Sequence, residues 1–118
     1  MKLQVFFFTL ILVAISLFVI LTNSARRPLD EIKAELWSIT PKGSSIKQVQ
    51  LSLSKSLGKE GRLGYSDLEM KVRSISLAYG RFYKLSEFPF ATTVNAYWGF
   101  DAEEKLVEIT LDYTLEAP

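Results

Sequence analysis

Apolar and polar positions divide the chain into three stretches. From Leu3 to Leu21 it reads LQVFFFTLILVAISLFVIL, an apolar run broken only by Gln4, Thr9 and Ser16. As a helix this run extends about 28 Å, close to the roughly 30 Å hydrocarbon core of a bilayer. Residues 1–25 are therefore read as a transmembrane anchor through residues 3–21, with a cleaved signal sequence as the alternative. The run exceeds the apolar stretch of about 7–15 residues usual in a signal, and no small-x-small site precedes Ser24 or Ala25. Lys2 flanks one end, and Arg26 and Arg27 the other, so the positive-inside bias is divided. The short N-terminal head favours an inside N-terminus. The expected location is the inner (plasma) membrane, single-pass, with the C-terminal domain periplasmic or extracytoplasmic.

The second stretch has helical spacing. Leu29, Ile32, Leu36 and Ile39 follow Pro28, and Asp30 and Glu31 sit where a helix dipole favours negative charge. This predicts a short helix over Pro28–Ser38, within a juxtamembrane helix and linker spanning residues 26–43. Thr40-Pro41-Lys42-Gly43 reads as a turn. Ser45 and Gln48 then fit a capping box, Ile46, Val49, Leu53 and Leu57 form one apolar face, and Gly58 suits a left-handed stop. A second helix is predicted over Ser45–Leu57.

In the third stretch the period changes to two. Ile75, Leu77 and Tyr79 alternate with smaller or polar residues, as do Val94, Ala96, Trp98 and Phe100, and then Val107, Ile109, Leu111 and Tyr113. Three half-buried strands follow, the last two joined by the polar turn Asp101–Glu104. Lys59–Asp67 reads as a loop. The expected fold is α+β: an N-terminal transmembrane helix, then one or two helices packed on a three-stranded antiparallel meander, with residues 44–118 forming the small domain.

Composition narrows the chemistry. Of 118 residues none is cysteine or histidine. That excludes disulfides, thiol nucleophiles, histidine bases and lipid-modified cysteines. No phosphate loop, dinucleotide fingerprint or Gly-x-Ser-x-Gly elbow is present. Asp101, Glu103 and Glu104 lie on a hairpin tip, where turn formation accounts for them. The reading is a non-enzymatic chain with no cofactor and no metal.

Two short stretches carry a resemblance. Pro41-Lys42-Gly43-Ser44-Ser45-Ile46-Lys47-Gln48-Val49 and Phe100-Asp101-Ala102-Glu103-Glu104-Lys105-Leu106-Val107 resemble the BamE-like (SmpA/OmlA) small envelope domains. The resemblance covers about Ile39 to Tyr113 and implies helices against a three-stranded sheet, with binding to other envelope proteins. Such proteins are typically acylated on a cysteine. This chain has none, so its apolar helix would serve as the anchor.

Charge supplies the candidate surfaces. The net charge of +1 conceals an asymmetry: Lys42–Lys84 holds nine basic residues against three acidic ones, whereas Leu85–Pro118 holds one against seven. Lys47, Lys55, Lys59 and Arg62 are candidates for contact with an anionic surface. Between Gly80 and Phe90 lie Phe82, Tyr83, Phe88 and Phe90 beside Arg81, the residue types enriched at binding hot spots. One of those phenylalanines is expected at the surface and two in the core. Tyr97 and Trp98 must face opposite sides of a regular strand. The candidate partner-binding residues are Arg81, Phe82, Tyr83, Phe88 and Tyr97. They point to a non-catalytic protein-binding domain at the bacterial envelope whose partner is another envelope protein or a toxin. Alternatives are an immunity protein neutralising a toxin or a structural domain facing anionic lipid. Near-neutral charge and the lack of a recognition motif argue against nucleic acid. Oligomeric state is left open.

Overall fold

Strand alternation in this chain extends further than its sequence pattern marks. The computed structural model describes residues 2–67, 69 and 71–117, and the side chains of residues 18–22 fall outside that description. Helices α1 (Lys2–Thr22), α2 (Leu29–Ile39) and α3 (Ile46–Leu57) precede strands β1 (Arg62–Tyr65), β2 (Arg73–Tyr83), β3 (Ala91–Phe100) and β4 (Leu106–Glu116). The strands form one antiparallel sheet in the order β1-β2-β3-β4. The sheet therefore has four strands, not the three expected. The addition is β1, which pairs Leu63 with Ile75 and Tyr65 with Arg73. Its four residues, one of them Gly64, are too few to display an alternation.

The expected membrane span is also corrected. Helix α1 runs Lys2–Thr22. Residues 18–21 of the expected span have side chains outside the described set. Among the described residues no helix is long and apolar enough to cross a membrane. The single-pass inner-membrane location rested on that span and is corrected with it.

The two shorter helices form where local chemistry satisfies their ends. Ser45 Oγ accepts the Gln48 backbone N–H (3.2 Å), while Gln48 Oε1 accepts the Ser45 N–H (2.8 Å). Gly58 closes α3 in the left-handed region with φ +65. The buried stripe of α3, Val49 and Leu53, and that of α2, Ile32 and Leu36, lie on one face of the sheet. Against them pack Ile75, Leu77 and Tyr79 of β2, Val94, Ala96, Trp98 and Phe100 of β3, and Ile109 of β4. Among the described residues no helix lies on the other face of the sheet.

Trp98 is the largest fully buried side chain. Its indole N–H donates to Thr40 Oγ1 at 3.0 Å, and the Thr40 hydroxyl in turn donates to the Leu36 carbonyl at 2.7 Å. The end of α2 is thereby tied to the middle of the sheet. The turn that follows is stitched to β4, because Gly43 N–H donates to Leu106 O and Leu106 N–H donates to Ser44 O. At the other side Gln50 holds the entry to β1 through both halves of its amide, donating to Gly61 O (2.9 Å) and accepting from Gly61 N–H (3.0 Å). Gly61 lies so close to Ile75 that a Cβ there would come within 2.2 Å of Ile75 Cγ2.

Two substitutions test this packing. Thr40→Val leaves the buried indole N–H without an acceptor and is expected to lower stability by about 1–3 kcal/mol. The urea midpoint should fall with the slope unchanged, as measured by tryptophan fluorescence. Gly61→Ala forces β1 away from Ile75 and is expected to cost about 1–3 kcal/mol by the same measurement, as overpacking does.

Candidate functional site

The candidate surface is built where the chain from α1 crosses the end of the sheet. Asn23 caps a single 3-10 turn, Ser24–Arg26, by accepting the Ala25 N–H at 3.0 Å, and its amide donates to the Arg81 carbonyl at 3.1 Å. Ala25 is buried over Gly80, where an added Cβ would approach the Ala25 Cβ to 3.1 Å. Arg26 donates to the Tyr83 carbonyl at 3.0 Å, and its guanidinium lies 5.7 Å from the centre of the Phe82 ring. This crossing covers the helix-side face of β2 beyond the reach of α2.

A β-bulge in β2 decides which aromatic residues face it. Ala78 pairs with Asn95 and Gly80 with Val94, so Tyr79 is the extra residue. Leu77, Tyr79 and Phe82 all face the helices. Phe82 is 7% exposed and meets Tyr113 edge-to-face at 6.2 Å. Its expected place at a partner surface is corrected: it is a core residue. Arg81 and Tyr83 point to the opposite, open face. Arg81 forms an ion pair with Glu116 at 3.6 Å, and the Tyr83 ring lies 6.0 Å from that of Phe88.

The segment after β2 presents the remaining aromatics. Leu85 is 97% exposed and Phe88 69%, and Phe90 is also exposed. Of the three phenylalanines in this region one is buried, not the expected two. Lys84 stands over the rings of Phe82 and Tyr113 at 6.0 and 5.6 Å. Tyr83, Leu85, Phe88 and Phe90 thus make an apolar end to the domain, bordered by Lys84 and Arg81. Tyr97 is exposed in the middle of the open sheet face, while Trp98 is buried beneath it.

The four candidate basic contacts are dispersed. Lys47 and Lys55 are exposed on α3, in the helix layer. Lys59 is occupied, donating to the Ala78 and Tyr79 carbonyls at 3.1 and 2.8 Å. Arg62 opposes Ser76, and through it Tyr97, on the far side of the sheet. No single plane collects them.

A cluster that local sequence patterns did not reveal lies beneath the crossing. Arg27 is paired with Glu35, and both meet the Tyr79 hydroxyl, which accepts from Arg27 at 2.8 Å and donates to Glu35 at 2.9 Å. Burial pushes the Glu35 carboxyl up, but hydrogen bonds from Arg27 and Tyr79, together with the guanidinium charge, outweigh it and hold the carboxyl below its ordinary 4.5. The hydrogen bond to Glu35 raises Arg27 against its own desolvation, with Tyr79 adding to the rise. The three groups satisfy one another, and their effect is to fasten residues 23–27 and α2 to β2.

Comparison with protein-family models, with curated proteins and with solved structures finds no match to this chain.

Glu35 gives a pH-dependent test. A carboxyl held low in the folded state stabilises it above the ordinary pKa, and that stability is lost as pH falls through the folded-state value. Both side chains of the pair are about one-third exposed (35% and 36%), so the contribution is screened to below about 1 kcal/mol. Glu35→Gln is therefore expected to be slightly less stable than the parent at pH 7. The difference should shrink as pH is lowered below 4.5, as read from urea midpoints across a pH series.

Proposed function

We propose that this chain is a non-catalytic protein-binding domain whose contact surface is the apolar end formed by Tyr83, Leu85, Phe88 and Phe90. The observation that carries this reading is the exposure of Leu85 and Phe88, at 97% and 69%, on a short segment held between two long strands. Large apolar side chains at the tip of a small domain place desolvation energy where a partner can use it, and Arg81 and Lys84 add a polar border. The Arg27, Glu35 and Tyr79 cluster supports the same reading, since it fixes the platform beneath the segment. An anionic-lipid-facing role for Lys47, Lys55, Lys59 and Arg62 receives less support, because these residues divide between two sides of the sheet and Lys59 is bonded to it. The resemblance of Pro41–Val49 and Phe100–Val107 to envelope domains directs the search for the partner to envelope proteins, including exported toxins.

Site-specific photo-cross-linking in cells tests the surface. A cross-linking residue at Phe88 should give one discrete adduct, and the same residue at Leu51, exposed on α3, should not. Phe88→Ala together with Tyr83→Ala should weaken binding of the identified protein by at least about tenfold without changing the unfolding midpoint. Equal adducts at Leu51 and Phe88, or unchanged affinity in the double variant, would remove this surface.

A further inference from the structure

The face of the sheet opposite the helices is uncovered, and its side chains are sorted by both charge and size. Two cross-strand rows run over it: Arg62, Ser76, Tyr97 and Thr110, and beside it Gly64, Ser74, Gly99 and Glu108. The charged side chain of β1 is Arg62, with Glu60 just before the strand at the rim of the same hollow. The β4 edge is acidic through Glu108 and Asp112. Among the described residues neither Arg62 nor Glu108 has an ion-pair partner. They cannot pair within one chain, because three strand spacings put them roughly 14 Å apart. Size is sorted along the same direction. Ser74, Ser76 and Ala78 leave β2 low, and hollows of about 340 and 520 Å³ open beside Arg62 and Tyr97. Tyr97 stands up from β3, and Glu108 lies across Gly99.

We propose that this open face is the interface of a two-fold dimer of the chain, in which β1 of each copy lies over β4 of the other. A two-fold axis running along the strands, between two such faces, produces that overlap and also sets β2 over β3. Arg62 then comes over Thr110 of the facing copy, between its Glu108 and Asp112. The same operation puts Tyr97 over the low Ser76, so charge and relief match under one axis. An axis across the strands sets basic edge on basic edge and acidic on acidic, which like-charge repulsion disfavours. Strands of the two sheets stay nearly aligned, as in packed sheets generally. The overlapping patch is roughly 19 by 20 Å, about 400 Å² per copy from strand spacing and rise, against about 800 Å² per partner in a standard complex. The dimer is accordingly weak and concentration-dependent. It is independent of the aromatic end, which lies at the far end of β2.

Charge reversal tests the axis as well as the contact. The full chain is kept dispersed in non-ionic detergent, and self-association is followed by sedimentation equilibrium. Arg62→Glu and Glu108→Arg, each alone, are expected to lower the association constant at least about tenfold, and Thr110→Arg to do the same by facing Arg62 with a like charge. An equimolar mixture of R62E and E108R restores both cross-pairs, and should recover association to within about threefold of the parent. Unchanged unfolding midpoints show that the variants fold, and Phe88→Ala should leave association unaltered. No association of the parent up to about 1 mM, association indifferent to the single reversals, or a mixture no better than its components would each overturn the proposal.

Discussion

The extra residue at Tyr79 is the constraint on which the rest of the domain depends. Without it, β2 would continue the alternation of Ile75 and Leu77 and turn Arg81 and Tyr83 toward the helices. With it, Tyr79 and Phe82 both face inward, and Arg81 and Tyr83 reach the open face. Each side then acquires what it needs. On the inner side the Tyr79 hydroxyl reaches Arg27 and Glu35, and the Phe82 ring receives Arg26 and Tyr113. On the outer side Arg81 can span β3 to Glu116. Bulges bend a strand and raise its local twist, and here the bulge lies where the chain from α1 must cross.

That crossing makes the sequence after α1 part of the domain. Asn23 and Arg26 bond to the carbonyls of Arg81 and Tyr83, and Ala25 fills the space above Gly80. The helices alone would leave this end of β2 open, because α2 and α3 cover the other end through Leu36 and Leu53. Trp98 lies at the centre of that other end, with its one polar atom satisfied by Thr40. The two ends of the sheet are thus closed by different means: helix packing around a buried indole at one, a short bonded crossing at the other.

Much of the helical layer was legible in the sequence, because its signals are local. Ser45, Gln48 and Gly58 mark α3 within fourteen positions, and all three act as their residue types suggest. The long strands were legible only as far as period two held unbroken. In β2 the alternation is readable as far as Tyr79, where the bulge erases the phase by which a strand is recognised. Beyond it the burial of Phe82 carries no periodic signal. β1 has no such signal, because Arg62-Leu63-Gly64-Tyr65 is too short to repeat. The apolar run at the N-terminus signals a span by length and hydropathy, yet among the described residues no helix is long and apolar enough to cross a membrane. The Arg27, Glu35 and Tyr79 cluster joins residues 8 and 52 positions apart, a separation at which no periodicity reports contact.

The charge asymmetry of the sequence acquires a geometry from the topology. A meander lays strands side by side in chain order, so a basic stretch followed by an acidic one becomes a sheet that is basic at β1 and acidic at β4. In a barrel those edges would meet and neutralise each other. In an open four-stranded sheet they are held apart by the strands between them, and each stays with water or pairs with something outside the chain. The low Ser and Ala positions of β2 permit close approach to the face, whereas a row of long side chains there would hold a neighbour off. An arrangement that separates opposite charges across one flat, uncovered surface is self-complementary under rotation about the strand direction. That property follows from strand order and sequence order together, and neither alone contains it.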